Sequence, residues 1–221
     1  MLDRRAVITG LAAASALAAC VQPPLDPPTL EPLDYAARRD GGFLVPAVPI
    51  DQVPDWLHRQ VVRFDGEGLE GAAQQAAQAA APGDIVILAD NGLLHLLLED
   101  GFALRYGIGV GREGLGWTGE AEIYRTARWP RWTPTPSMIE RDPGLERWAD
   151  GQDGGPTNPL GARALYMRTL STGADEGIRI HGTPEWRSIG RRASSGCFRM
   201  LQQDVIDLYE RVGRGTRVTV V

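Results

Sequence analysis

From Asp84 onward the chain alternates short apolar runs with turn residues. Ile85-Val86-Ile87-Leu88 is a strand-length run, Asp90-Asn91-Gly92 a turn, and Leu93 to Leu98 a second run. Asn-Gly between apolar segments predicts a tight hairpin, because both residues tolerate the left-handed backbone that such turns require. Glu99-Asp100-Gly101 turns again into Phe102 to Val110, so three strands of a meander are expected. Further strands are predicted over Ala121 to Trp129, Ala164 to Arg168, Gly177 to Ile180 and the β-branched Thr216 to Val221. Between Asp204 and Val212 the period changes. Val205, Ile206, Leu208, Tyr209 and Val212 fall on one side of a helix, with Gln202-Gln203-Asp204 ahead of it. Pro184 to Gly190 reads as a short helical turn.

The remaining segments are less regular. Residues 21–65 form a Pro-rich tether and N-terminal extension, with Gln22-Pro23-Pro24, Asp26-Pro27-Pro28 and Glu31-Pro32 near its start. Residues 66–83 are rich in Ala and Gln, which fits either a lightly packed helix or a low-complexity linker, and Pro82-Gly83 stops it. Glycines at 107, 109, 111, 114, 116 and 119 predict a flexible loop at a sheet edge. Gly109-Val110-Gly111-Arg112-Glu113-Gly114 matches a dinucleotide fingerprint in letters only, since a hairpin precedes it and no apolar crossover helix follows. About 130 to 160 is a long insertion over one face of the sheet, stiff and aromatic at Trp129-Pro130-Arg131-Trp132, with a short helix near Ser137 to Arg141. Such segments serve as lids or binding loops, or simply pack. His95 sits among leucines with no acid or thiol beside it and reads as an outward-facing strand residue.

Composition changes this picture in a few places. The 221 residues, 43% hydrophobic and 23% charged, suit one moderate domain with extras. A net charge of −5 argues against a nucleic-acid partner. There is no lysine, so base catalysis falls to His or a carboxylate. Residues 1–20 combine Arg4-Arg5, an apolar Ala-rich run and Leu17-Ala18-Ala19-Cys20, and read as an export signal too short to span a bilayer comfortably. Leu-Ala-Ala-Cys resembles the lipobox of bacterial lipoproteins, which implies cleavage before Cys20, lipidation of its sulfur and a membrane anchor. Cys197 is then the single cysteine of the mature chain. A lone thiol in an oxidising compartment is a liability unless it is used.

The chemistry concentrates between His181 and Arg199. His181-Gly182-Thr183 ends a predicted strand, and Ser194-Ser195-Gly196-Cys197-Phe198-Arg199 follows after a turn. A thiol needs a base to become a good nucleophile, and imidazole is the usual one. The stretch resembles the signature of bacterial L,D-transpeptidases with the YkuD-type catalytic domain: a His-Gly opening, then Ser-x-Gly-Cys, an apolar residue, and Arg or Asn. Asn158-Pro159-Leu160-Gly161 resembles a second stretch of that family, and the likeness extends loosely over residues 84–221. One departure stands at Ser195, where many members carry His.

The resemblance implies a mostly β fold, an L,D-transpeptidase-like β-sandwich with short helices and a lid-like insertion. It implies a lipid-anchored envelope protein on the periplasmic side, whose partner is the peptidoglycan stem peptide. Cys197 would attack the diaminopimelate carbonyl of a tetrapeptide, D-Ala would leave, and an amine of a second stem would resolve the acyl-enzyme into a 3→3 cross-link, or another acceptor would take it. His181 would move the proton, steadied by a carbonyl near Gly182 or Thr183. Backbone N–H groups around Gly196 and Cys197 would form the oxyanion hole, and Arg199 would meet a substrate carboxylate or a structural partner. Ser194 and Ser195 would donate hydrogen bonds or shape the turn. Carbapenems are expected to acylate Cys197. No metal or other cofactor is expected, since no Cys-His spacing fits a zinc site. The competing readings are a catalytically silent peptidoglycan-binding lipoprotein on the same fold and a cysteine hydrolase of wall peptides, although the common enzymes of that kind place Cys before His.

Overall fold

The Asp90-Asn91-Gly92 turn does close a hairpin, with Gly92 at a φ of 66°. The computed structural model describes residues 26–111, 117–193 and 197–221. In chain order it contains β1 (Arg38–Asp40), β2 (Phe43–Val45), β3 (Gln60–Arg63), α1 (Gly71–Ala79), β4 (Ile85–Leu88), β5 (Leu93–Leu97), β6 (Phe102–Gly107) and β7 (Gly109–Gly111). Then come β8 (Gly119–Arg128), α2 (Pro136–Arg141), β9 (Arg163–Thr169), β10 (Arg179–Gly182), β11 (Arg192–Ala193), β12 (Phe198–Met200), α3 (Gln202–Arg211) and β13 (Arg217–Val220).

β1 and β2 pair with each other, and all the other strands join one mixed sheet in the order β11-β7-β12-β10-β9-β8-β13-β4-β5-β6-β3. The sheet encloses a single main core. Ile85, Ile87, Leu94 and Leu96 from one half share it with Ile123, Leu165, Ile180 and Phe198 from the other, and Val205 and Leu208 of α3 complete it. The expected architecture, a β core with a few short helices, is what forms. β4 is an unbroken apolar run because both its faces are covered: Val86 and Leu88 point away from the main core and pack under Ala76 and Ala77 of α1. The Ala/Gln-rich segment is thus a helix, and a lightly packed one.

The N-terminal extension departs from the expectation of a spacer. From Tyr35 onward it is strapped to the domain. Tyr35 donates from its hydroxyl to buried Asp204 at 2.7 Å, and Gln203 Nε2 donates to the carbonyl of Pro46 at 2.9 Å. Arg163, 1% exposed, donates from Nη1 and Nη2 to both carboxylate oxygens of Asp40 at 2.7 and 2.8 Å. β3 then enters the sheet edge beside β6. Composition pointed to prolines and a tether. What holds the segment is the packing of Val48, Val53 and Leu57 on Ile189 and Leu201, together with polar partners more than a hundred residues away in sequence.

Two local expectations also change. Gly109–Gly111 are not an edge loop but a strand between β11 and β12. Glycine is needed there for close approach, since a Cβ on Gly109 would lie 2.5 Å from the Ser188 carbonyl oxygen. His95 does not face solvent. It is 3% exposed and stacks on Phe64, with ring centroids 4.0 Å apart. Residues 112–116, within the glycine-rich run, lie outside the described residues.

Candidate active site

β10 and β12 run side by side in parallel, joined by the segment from Thr183 to Cys197 that holds the short helical turn Trp186–Ser188. Their register sets His181 opposite Arg199 and Ile180 opposite Phe198. Side chains two positions apart on a strand share a face. His181 and Arg199 therefore point the same way, while Ile180 and Phe198 drop into the core. Cys197 immediately precedes β12. His181, Thr183, Cys197 and Arg199 line one cavity of about 320 Å³, together with Pro184 and Glu185.

The opposite wall comes from the long insertion. Trp132, Met138, Thr157, Pro159 and Leu160 face the same cavity. Buried Asn158 holds this segment in shape: its Nδ2 donates to the carbonyls of Pro130, Gln152 and Asp153 at 3.1 Å each, and its Oδ1 accepts from the Leu160 N–H at 2.8 Å. Gly161 follows with a φ of +64°, and a Cβ there would strike Gln202 Oε1 at 2.5 Å. Gln202 Oε1 accepts from the Ala162 N–H at 2.9 Å and would lie 2.4 Å from a Cβ on Gly182. The Asn-Pro-Leu-Gly stretch and the His-Gly stretch thus close on one buried glutamine. Gln202 was legible only as a polar residue ahead of a helix, because nothing local marks it as a partner of two distant glycines.

His181 is 6% exposed, and its Nδ1 lies 2.5 Å from the Gly182 carbonyl oxygen. A carbonyl only accepts, so Nδ1 carries the proton and Nε2 keeps a lone pair. Burial pushes the pKa of His181 down to about 4. The Gly182 hydrogen bond opposes this, and the positive charges of Arg199 and Arg179 reinforce it. The ring is therefore neutral at pH 7, in the tautomer that a general base requires. Cys197 is half-buried, and its thiol donates weakly to the Gly177 carbonyl at 3.7 Å.

Arg199 is half-buried, and its Nε and Nη2 are buried with no hydrogen-bond partner. Burial lowers its pKa, while the nearby negative charges of Cys197 and Glu185 raise it. Among the described residues no carboxylate forms an ion pair with Arg199; the residue lines the cavity, while its buried Nη2 lies close to Gly109. Thr183 shapes the turn, its Oγ1 accepting from the Glu185 N–H at 3.1 Å. Of the residues singled out in the sequence, His181, Thr183, Cys197 and Arg199 come together, with Gly182 supporting them. Ser194, Ser195, Gly196 and Cys20 lie outside the described residues.

The pattern of the L,D-transpeptidase catalytic domain, YkuD, matches residues 84–220. A Fuscovulum blasticum protein provisionally named an L,D-transpeptidase is 38% identical over 103 residues, covering 47% of this chain and 49% of that protein. The probable L,D-transpeptidase YbiS of Escherichia coli K12 is 37% identical over 119 residues, covering 52% of this chain and 36% of that protein. The chain thus spans about half or less of the length of these curated relatives. Among solved structures, a Brucella melitensis protein named a probable carnitine operon oxidoreductase is 45% identical at a TM-score of 0.48, covering 74% of this chain and 93% of that one. L,D-transpeptidase 3 of Mycobacterium tuberculosis, solved in complex with a faropenem-derived adduct, is 17% identical at a TM-score of 0.43, covering 62% and 58%.

Proposed function

Because the chain belongs to the L,D-transpeptidase catalytic-domain family, we propose that it transfers acyl groups between peptidoglycan stem peptides through a thioester at Cys197. The observation that carries this reading is the shared cavity of Cys197, His181 and Arg199, with the His181 tautomer set by Gly182. Cys197 Sγ attacks the diaminopimelate carbonyl of a tetrapeptide, and its proton passes to Nε2 of His181. The oxyanion is held by backbone N–H groups at Gly196 and Cys197, one such donor being worth roughly 3 kcal/mol. The intermediate collapses, the C–N bond to D-Ala breaks, and the leaving amine takes the proton from His181. An acceptor amine of a second stem then attacks the thioester, giving a 3→3 cross-link and regenerating the thiol. The guanidinium of Arg199, a residue that lines the cavity, suits a substrate carboxylate. The insertion wall bearing Trp132 and Leu160 supplies apolar contact.

Incubation of the protein with disaccharide-tetrapeptides, followed by mass spectrometry, tests this. Cross-linked dimers that have lost one D-Ala are expected. Tripeptide monomers alone would mean that water is the acceptor and the protein is a hydrolase. Unchanged tetrapeptide would favour the silent binding protein.

The envelope placement is part of the same proposal. The leader and Cys20 fit a lipid anchor on the periplasmic side of a membrane. Labelled palmitate should enter the wild-type protein and not Cys20→Ser; equal labelling of both would remove the anchor.

A further inference from the structure

A second cavity lies against α1. The outer face of β4, β5, β6 and β3 is only partly covered by that helix. Beside the helix's amino-terminal end the face opens into a cavity of about 380 Å³. Phe64, Leu69, Leu93, Glu70, His95 and Arg105 are among its walls, and it shares no lining residue with the Cys197 cavity.

Two of these groups have unmet hydrogen-bonding capacity. His95 is 3% exposed, and its Nδ1 is buried with no partner. Its cross-strand neighbour is Arg105, whose Nε is also buried with no partner. Among the described residues no carboxylate pairs with Arg105. Arg63, the other cation at the rim, is already engaged with Asp65 at 2.8 Å. Glu70 is the one acidic residue lining the cavity, and among the described residues it forms neither an ion pair nor a side-chain cap on α1. α1 starts at Gly71 and runs for 9 residues, with its positive end at the cavity. Buried donors without acceptors are rare in folded proteins. An unpaired guanidinium beside an unpaired imidazole nitrogen and a helix amino terminus calls for a negatively charged acceptor.

We propose that this cavity is an anion-binding site, separate from the Cys197 cavity, that takes a carboxylate or phosphate group borne on a small apolar body. The oxygens lie between Arg105 and His95, and the body packs on Phe64, Leu69 and Leu93. Burial first, and the charge of Arg105 second, push the pKa of His95 down to about 3, against a backbone hydrogen bond to Val86. An anion between the two groups would offset the charge of Arg105.

The protein has three histidines, His58, His95 and His181, so their imidazole C–H signals can be followed individually by NMR. The full chain is titrated with inorganic phosphate and, separately, with acetate, each against chloride at constant ionic strength. The His95 signal is expected to move saturably with at least one of them while His181 and His58 stay still. A response to acetate alone points to a carboxylate ligand, and to phosphate alone a phosphate. Arg105→Gln should weaken binding roughly tenfold or more, and Arg105→Lys should restore part of it. Unchanged His181 and His58 signals in both variants show that the fold is intact. A still His95 signal with both anions overturns the site, as does a response undiminished in Arg105→Gln. Movement of His181 in step with His95 overturns it too, by placing the anion in the other cavity.

Discussion

Cys197→Ala is expected to abolish both transfer from tetrapeptides and covalent labelling by a carbapenem, and His181→Gln to lower kcat/KM by roughly 10³-fold, as loss of a positioned base does. Transfer or a carbapenem adduct surviving in Cys197→Ala would move the chemistry elsewhere. The pH profile separates base catalysis from a merely structural His181. The reactive form holds His181 neutral, and burial keeps its pKa near 4 rather than 6.5. The rate should therefore stay level as the pH falls from 7 to 5 and drop only as His181 gains its proton near 4. An acid limb centred at 6.5 would show a solvated imidazole and sink this account of the site. Arg199→Gln removes one of the positive charges that hold the pKa down, so its acid limb should shift upward.

Stability changes over the same range, and the sign follows from proton counts. His181 and His95 stay neutral in the folded protein well below the 6.5 at which they would protonate in the unfolded chain. The unfolded state binds more protons there, so their contribution is lost as the pH falls below 6.5. Asp204 works the other way. Burial raises its carboxyl to about 7, so between 7 and 3.8 the folded state holds a proton that the unfolded state lacks, and stability rises as the pH falls. Thermal unfolding at each pH thus belongs beside the rate measurements.

How legible all this was depended on the range of the interactions. The hairpin at Asn91-Gly92, the strands β8, β9, β10 and β13, and helix α3 rest on local period and turn chemistry. So does the arrival of His181 at a strand end. Three features rest on distant partners. Gly109 is explained by the distant Ser188 carbonyl, and Gly182 and Gly161 largely by Gln202. His95 looked solvent-facing because its sequence neighbours are leucines, yet its covering residue, Phe64, lies on the chain leading into α1. The cavity walls contributed by Trp132 and Leu160 depend on Asn158 gathering three carbonyls. Only the family-like Asn-Pro-Leu-Gly letters hinted at that role.

The strap shows the same dependence at its strongest, and Asp40→Ala should cost about 3–5 kcal/mol of stability. Arg163 is 1% exposed, so its charge cannot be returned to water when the carboxylate is deleted. What would remain near it is the Ala162 carbonyl at 2.8 Å, Glu210 at 3.9 Å and the Tyr209 ring at 5.1 Å. None reproduces two parallel charge-assisted hydrogen bonds. The Trp129 indole N–H, 2.8 Å from the same carboxylate, is left with only the Asp40 backbone carbonyl at 3.1 Å. The urea midpoint should fall with the slope unchanged if the strap stays docked through Tyr35 and Gln203. A reduced slope would mean instead that the strap has peeled away in the folded state. Asp40→Ala with Arg163→Met should recover much of the loss, since that pair of changes leaves no buried charge behind. A single-variant cost below about 1 kcal/mol would show that Arg163 finds other solvation, and the strap would then be a passenger on the domain rather than a part of its core.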